Sequence, residues 1–204
     1  NTVRTTRSEK VITKLNRKYY LAHPFFQPLK GNFGSITDLS YTQGGFDFDT
    51  FLIKNQCPRF SSGDGKGLIE STVRGKDIFI VVDVGNYSCK YKMFGQENSM
   101  SPDDHYQDLK RIIQAISGKA FRINVIMPLL YGGRQHRRSY RESLDCAWML
   151  QELQSMGVEN ILTFDAHDPR VMNAVPLMGF DNIIPSYQVL KTLLNSKNDI
   201  ICDK

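Results

Sequence analysis

Residues 131–143 read YGGRQHRRSYRES. Two glycines stand against Arg134, Arg137, Arg138 and Arg141, with Gln135 and His136 between them, just after a short apolar run. A guanidinium presents a planar fork of donors that matches phosphate oxygens, and glycine lets backbone approach a ligand closely. A second stretch, DAHDPR at 165–170, sets Asp165, His167 and Asp168 in close succession. Carboxylates and an imidazole so placed can hold or orient a divalent cation. A cationic loop beside such a set suits a phosphate ester carrying a bound metal. Each feature alone has a plainer explanation. Arginine clusters are commonly solvated surface, and Asp165 or Asp168 could simply cap the turn of PRVMNAV. Their joint occurrence after neighbouring strands favours the functional reading. A third stretch, CPRFSSGDGKGLIESTVRGKD at 57–77, holds Phe60 and Asp64 among glycines. It is either a flexible surface turn or a mobile loop that stacks an aromatic on a base and reads it with a carboxylate. The sequence has no GxxxxGK[ST] and no GxGxxG opening a helix, so neither a P-loop nor a Rossmann nucleotide site is available.

These stretches need elements to position them. IFIVVD (78–83) is a β-branched apolar run of the kind buried on both faces of a sheet. SPDDHYQDLKRIIQAISG predicts a helix with Ser101 as N-cap, Pro102 at its first position, aspartates in the first turn and Gly118 as stop. Leu109, Ile112, Ile113 and Ile116 form its apolar stripe. FRINVIM (121–127) is the next strand and runs into the arginine loop. A helix over about 142–156 follows, with Cys146, Met149, Leu150 and Leu153 on one face and Gly157 beyond it. NILTF (160–164) is a third strand, NII (182–184) a short fourth, and PSYQVLKTLL a closing helix. Alternation at this spacing gives βαβ units, an α/β class and a mainly parallel sheet flanked by helices. Ligands of such sheets bind beyond the carboxyl ends of the strands, where both candidate loops begin. Residues 1–50 read as an N-terminal extension and 51–204 as the domain. Within the extension, Val11, Ile12, Leu15 and Tyr19 share a face of an expected short helix.

Composition narrows the partners. Hydrophobic residues at 41% and charged residues at 23% are those of a globular chain, and 204 residues can bury a core without disulfide staples. Cys57, Cys89, Cys146 and Cys202 show neither CxxC nor metal spacing, so reduced thiols and a cytoplasmic location are expected. No apolar run approaches a membrane span, so no membrane partner is expected. The polar start NTVRTTRSEK carries no signal-peptide core, and a first residue other than Met fits a processed or trimmed N-terminus. A net charge of +5 favours anionic partners only weakly, so its location matters more than its sum.

At these motifs the chain resembles the N-terminal half of ribose-phosphate pyrophosphokinases, the PRPP synthetases. RFSSGDGKGLIESTVRGKDIFIV is similar to that family's R-F-S-D-G-E segment with the following V-R-G-x-D and strand. VIMPLLYGGRQHRR is similar to V-I-P-Y-x-x-Y-A-R-Q-D-R, NILTFDAHDPRV to a strand ending in D-L-H-A, and FDNIIPSYQVLK to the V-D-N stretch and its helix. The match runs over about 57–194. It implies a phosphoribosyltransferase-like fold and transfer of the β,γ-diphosphoryl group of MgATP to ribose 5-phosphate, giving PRPP and AMP. Carried over by position, Phe60 stacks on adenine and Asp64 reads the base. Arg134 and Gln135 contact ATP, and His167 contacts Mg²⁺. The resemblance also implies a homo-oligomer. The sequence departs from the family at Ser62, where an Asp is usual, at Asp64 in place of Glu, and at His136 in place of the Asp of R-Q-D-R. The strand ending in two acids and the Thr/Gly-rich loop that bind ribose 5-phosphate in the family's second domain are not found here. No catalytic residue is therefore assigned, and the chain alone is expected to be inactive. The alternative is a catalytically silent associated subunit that serves regulation or assembly. A nucleic-acid interface built on RQHRRSYR is disfavoured, because Tyr140 alone interleaves with its arginines.

Overall fold

The computed structural model describes residues 19–22, 53 and 55–195. In chain order its strands are β1 (Tyr19–Ala22), β2 (Asn55–Gln56), β3 (Leu68–Ile69), β4 (Asp77–Val81), β5 (Lys90–Met93), β6 (Gln96–Ser99), β7 (Arg122–Ile126), β8 (Val158–Phe164) and β9 (Gly179–Ile183). Its helices are α1 (Pro102–Ile116), α2 (Asp145–Ser155) and α3 (Ser186–Asn195), with a 3₁₀ turn at Pro169–Ala174. Five strands form one parallel sheet in the order β1-β4-β7-β8-β9. The three long apolar runs are thus adjacent strands of an α/β sheet, as their composition requires.

The sheet grows in one direction along the chain. Right-handed crossovers therefore bring α1, α2 and the 3₁₀ turn to the same face. Ile78 and Ile80 of β4, Val125 of β7 and Ile161 of β8 join Leu109, Ile112, Ile116, Met149, Leu150, Leu153 and Val171 in one buried cluster. Each fully buried Leu or Ile contributes roughly 1.5–3 kcal/mol. The cluster is large enough to hold the strand ends in register. Asn124 serves that register too: its amide donates to the Ile78 carbonyl at 3.1 Å, and its oxygen accepts from Asn160 Nδ2 at 2.7 Å.

Helix α1 begins as its sequence dictates. Ser101 Oγ accepts the Asp104 N–H at 3.2 Å, and the Asp104 carboxylate accepts the Ser101 N–H at 2.9 Å, a reciprocal capping box. It closes on Ser117 and Gly118, both left-handed, at φ 55° and 65°. Helix α2 starts later than the expected 142, at Asp145, and Leu144 supplies no side-chain cap. Instead the Cys146 N–H donates to the Gln135 carbonyl of the arginine loop at 3.3 Å.

Several features were not anticipated. Tyr19 lies in a strand, not a helix: Tyr19–Ala22 pairs in parallel with Asp77–Ile80, so the sheet draws one strand from the segment read as an extension. A four-residue apolar stretch carries no decisive period, and pairing with a distant strand overrides local helical preference. Val11, Ile12 and Leu15 lie outside the described residues. The β5–β6 ribbon turns through Phe94 and Gly95, both at positive φ (48° and 81°). Cys57 and Cys146 are buried free thiols, pushed up to about 12 and about 11 by burial. For Cys57 the neighbouring Asp108 charge adds to that rise. Among the described residues no helix is long and apolar enough to cross a membrane.

Candidate functional site

Parallel strands end together, so the loops after β4, β7 and β8 share one edge of the sheet. Backbone bonds carry the ladder past the strands: Val82 N–H to Ile126 O (2.9 Å), Met127 N–H to Leu162 O (2.8 Å), and Asp165 N–H to Ile183 O (2.9 Å). The loops are therefore fixed at their roots.

The arginine loop leaves β7 through two successive turns, closed by Gly133 N–H to Leu130 O (3.1 Å) and Gln135 N–H to Gly132 O (2.8 Å). Gly132 sits at φ 64°. A β-carbon there would lie 3.2 Å from Asp145 Cβ and from the Cys146 nitrogen, so this glycine lets the turn pack on the start of α2. A β-carbon at Gly133 would lie 3.1 Å from the Leu130 carbonyl oxygen. Packing within the chain is thus one reason for a glycine at both positions. The turn does present Arg134 and Gln135 to solvent, followed by exposed Arg137, Arg138 and Arg141. Tyr131 anchors the loop base. Its hydroxyl donates to Asp103 Oδ1 at 2.6 Å, and its ring stacks on Tyr106 with centroids 4.5 Å apart. Burial first, then the bond to Asp103, pushes the Tyr131 phenol up to about 12.

The loop after β8 opens with Asp165 in the left-handed region at φ 47°, unusual for a residue other than glycine. Asn182 supports the bend by accepting the Ala166 N–H at 2.9 Å. His167 is exposed at its apex. Asp168 caps the 3₁₀ turn, accepting the Arg170 N–H at 2.9 Å and three bonds from the Arg170 guanidinium, the shortest 2.6 Å. Those bonds, with a smaller part from His136, hold its carboxyl well below the usual carboxylate range.

The two loops meet through His136. Its Nε2 lies 3.5 Å from Asp168 Oδ2, and its ring stands edge-on to that of His167 with centroids 5.1 Å apart. The geometry thus unites His136, His167 and Asp168 below the exposed arginines in sequence. Phe60 and Asp64 lie on a separate hairpin. Residues 55–69 form a hairpin: β2 and β3 are antiparallel, Arg59 bridges Gly65, and Phe60 and Asp64 share a 2.8 Å backbone bond. Phe60 is 58% exposed at the tip, while the Asp64 carboxylate accepts from Ser62 Oγ at 2.7 Å. The hairpin is clamped to α1 by Arg59, whose guanidinium makes a two-point bond to the buried Asp108 (2.5 and 2.9 Å). Arg111 adds a 2.7 Å bond to the same carboxylate.

Sequence reasoning passed over two residues and one contact. His136 registered only as a departure from a motif, and its contact with Asp168, itself read as a possible cation ligand or cap, was not foreseen. Asp83, exposed at the end of β4, holds the Gly85 N–H at 3.0 Å on a third strand-end loop. A carboxylate directly ending the apolar run IFIVVD was the signal for it.

Comparison with known proteins follows this geometry. Residues 37–157 match the family described as the N-terminal domain of ribose phosphate pyrophosphokinase. A putative ribose-phosphate pyrophosphokinase 2 of Streptococcus pneumoniae is 30% identical over 155 residues, covering 75% of this chain and 41% of that protein. The ribose-phosphate pyrophosphokinase of Bacillus caldolyticus is 27% identical over 122 residues, covering 59% and 34%. The chain therefore spans well under half the length of these curated relatives. The crystal structure of phosphoribosylpyrophosphate synthetase from Mycobacterium smegmatis superposes with a TM-score of 0.66 at 15% identity, covering 90% of this chain and 54% of that one. At that identity the likeness speaks for the fold.

Proposed function

The chain belongs to the family of ribose-phosphate pyrophosphokinase N-terminal domains, and from that premise we propose that it is the nucleotide-binding half of a diphosphotransferase. The reaction it would take part in is attack of the 1-hydroxyl of ribose 5-phosphate on the β-phosphorus of ATP. A new C1–O–P bond forms, the α–β phosphoanhydride bond breaks, AMP leaves, and the hydroxyl proton is released. The observation that carries this reading is the meeting of the two strand-end loops at His136, which puts the Arg134–Arg141 run and His167 on one side of the sheet.

In this reading Arg134 and Gln135 grip polyphosphate oxygens, where charge-assisted forks are worth most. Mg²⁺ bound with ATP takes most of its ligands from phosphate and water, so a single exposed imidazole at His167 fits it. Bound there, the cation would offset polyphosphate charge. Phe60 and Asp64, on their clamped hairpin, would take the adenine by stacking and hydrogen bonding. Nothing in the described residues resembles a site for ribose 5-phosphate. Positioning of the acceptor, worth about 7–11 kcal/mol in such reactions, would then fall to a further domain. The isolated 204-residue chain should bind MgATP weakly and release no AMP from MgATP and ribose 5-phosphate. Substantial turnover by this chain alone would contradict the half-enzyme reading.

The Ser62–Asp64 bond favours a second reading. A carboxylate already engaged by its neighbour is less free to read a base. A silent subunit serving assembly would bind no MgATP at all, which calorimetry on the same chain distinguishes.

A further inference from the structure

We propose that Phe94, at the tip of the β5–β6 ribbon, forms with Phe60 a two-ring clamp for the purine base of a nucleotide. The inference deepens the nucleotide-site reading and rests on it for the ligand. It adds a second ring, carried by an element to which that reading gives no part.

The ribbon is fixed on the tip of the 55–69 hairpin. The Phe94 N–H donates to the Ser61 carbonyl at 2.7 Å, which bonds the turn of the ribbon to the residue next to Phe60. Adjacent Cα atoms are about 3.8 Å apart, so the two rings spring from points that one base can span. A β-carbon at Gly63, itself at φ 94°, would lie 2.9 Å from Met93 Sδ, so the two tips pack closely. Arg59, held by Asp108, sets its guanidinium carbon 5.1 Å from the centre of the Tyr91 ring in β5. A Lys90–Glu97 ion pair at 3.0 Å ties β5 to β6. Both aromatic side chains thus stand on one braced platform.

The fold gives no reason for a phenylalanine at 94. With Met93 paired to Gln96, Phe94 and Gly95 are the central residues of a two-residue hairpin turn, both at positive φ. Such a turn favours Asn or Asp at its first central position, because a bulky side chain is strained in the left-handed region. Burial does not offset that strain: Phe94 is 77% exposed, beside a Phe60 that is 58% exposed. Strained residues without a packing role are characteristic of ligand contacts. Two exposed rings on bonded tips also make a patch, where a single scattered ring would need no explanation. A purine is flat, with two stacking faces and a polar edge. Phe60 and Phe94 match the faces, and the Ser62 hydroxyl and Asp64 carboxylate, on the same tip, supply hydrogen bonding for the edge. The backbone of the platform stays in place while its rings take the base.

The test titrates the 204-residue chain with MgATP and with magnesium tripolyphosphate, which has no base. Phe94→Asn should weaken MgATP roughly fivefold or more, the loss expected of one stacking face, and leave tripolyphosphate unchanged. It should also narrow the preference for MgATP over MgUTP, whose base offers a smaller face. Phe94→Trp should keep the wild-type affinity. Because Asn suits the turn, Phe94→Asn should melt no earlier than the wild type. In the wild-type complex, adenine H2 and H8 should show NMR cross-peaks to the rings of both Phe60 and Phe94. Unchanged MgATP affinity in Phe94→Asn, an equal loss for both probes, or cross-peaks to Phe60 alone would overturn the clamp and leave the nucleotide reading in place. A marked loss of stability in Phe94→Asn would show that the ring serves the fold, and would overturn it too. Binding of neither probe by the wild type would overturn the nucleotide reading and the clamp with it.

Discussion

The sequence reads 57–77 as a flexible turn or a mobile loop, and the loops beyond β7 and β8 as candidate phosphate and cation loops. The structure separates them by how their charged groups are spent. In the hairpin Arg59 is buried against Asp108, and Asp64 is engaged by Ser62, so its polar residues mostly hold it in place. In the strand-end loops backbone bonds at the strand roots, Gly132 and the side chains of Tyr131 and Asn182 do the holding, while Arg134, Gln135 and His167 stay exposed. Side chains that do not hold the fold are available to hold a ligand. Binding should therefore be concentrated in the strand-end loops and stability in the hairpin clamp.

Asp108→Ala should show the largest effect. Removing it strands two guanidiniums, one of them almost fully buried, and breaking such a pair costs about 3–5 kcal/mol. Urea unfolding followed by circular dichroism should show the loss. A change below about 1 kcal/mol would mean that the clamp is no stronger than a surface pair. Gly132→Ala comes next. A side chain in the left-handed region costs about 1–3 kcal/mol, and here its β-carbon also presses on the first turn of α2. Stability comparable to the wild type would remove packing as the reason for this glycine.

How much of this was legible depends on whether the determinants were local. Ser101, Pro102 and the stripe of Leu109, Ile112, Ile113 and Ile116 all act within one helix, and α1 is where they put it. The runs at 78–83, 121–127 and 160–164 are too apolar to be anything but central strands, so the order of the sheet's middle was also within reach. Arg59–Asp108 joins residues 49 apart, and nothing in either neighbourhood announces the other. The β5–β6 ribbon was hidden because Lys90–Met93 and Gln96–Ser99 are largely polar and Phe-Gly is not a usual hairpin dipeptide. At the site, the residue types of Arg134, Gln135 and His167 were legible from their motifs. The His136–Asp168 contact required two loops to be folded against each other.

A smaller effect should appear at alkaline pH and tests the anchoring of the arginine loop. The Tyr131 phenol is raised to about 12 in the folded chain, against an ordinary value near 10. The unfolded chain therefore loses this proton first. The stabilisation is complete below about pH 10 and fades as pH rises toward 12. Tyr131→Phe should unfold with a flatter pH dependence across that window. An unchanged slope would show that the hydroxyl bond to Asp103 is not what secures the loop.

The most direct measurement is a titration of ¹⁵N-labelled chain with MgATP, following backbone amide shifts. Saturable shifts at Arg134, Gln135, Asp165 and His167 are expected, weakened roughly tenfold or more in Arg134→Ala, as loss of a charge-assisted bond implies. The Phe60–Asp64 amides should move less, because the hairpin's own bonds remain in place. Shifts confined to the hairpin, or none at all at millimolar nucleotide, would contradict a nucleotide site at the carboxyl ends of β7 and β8.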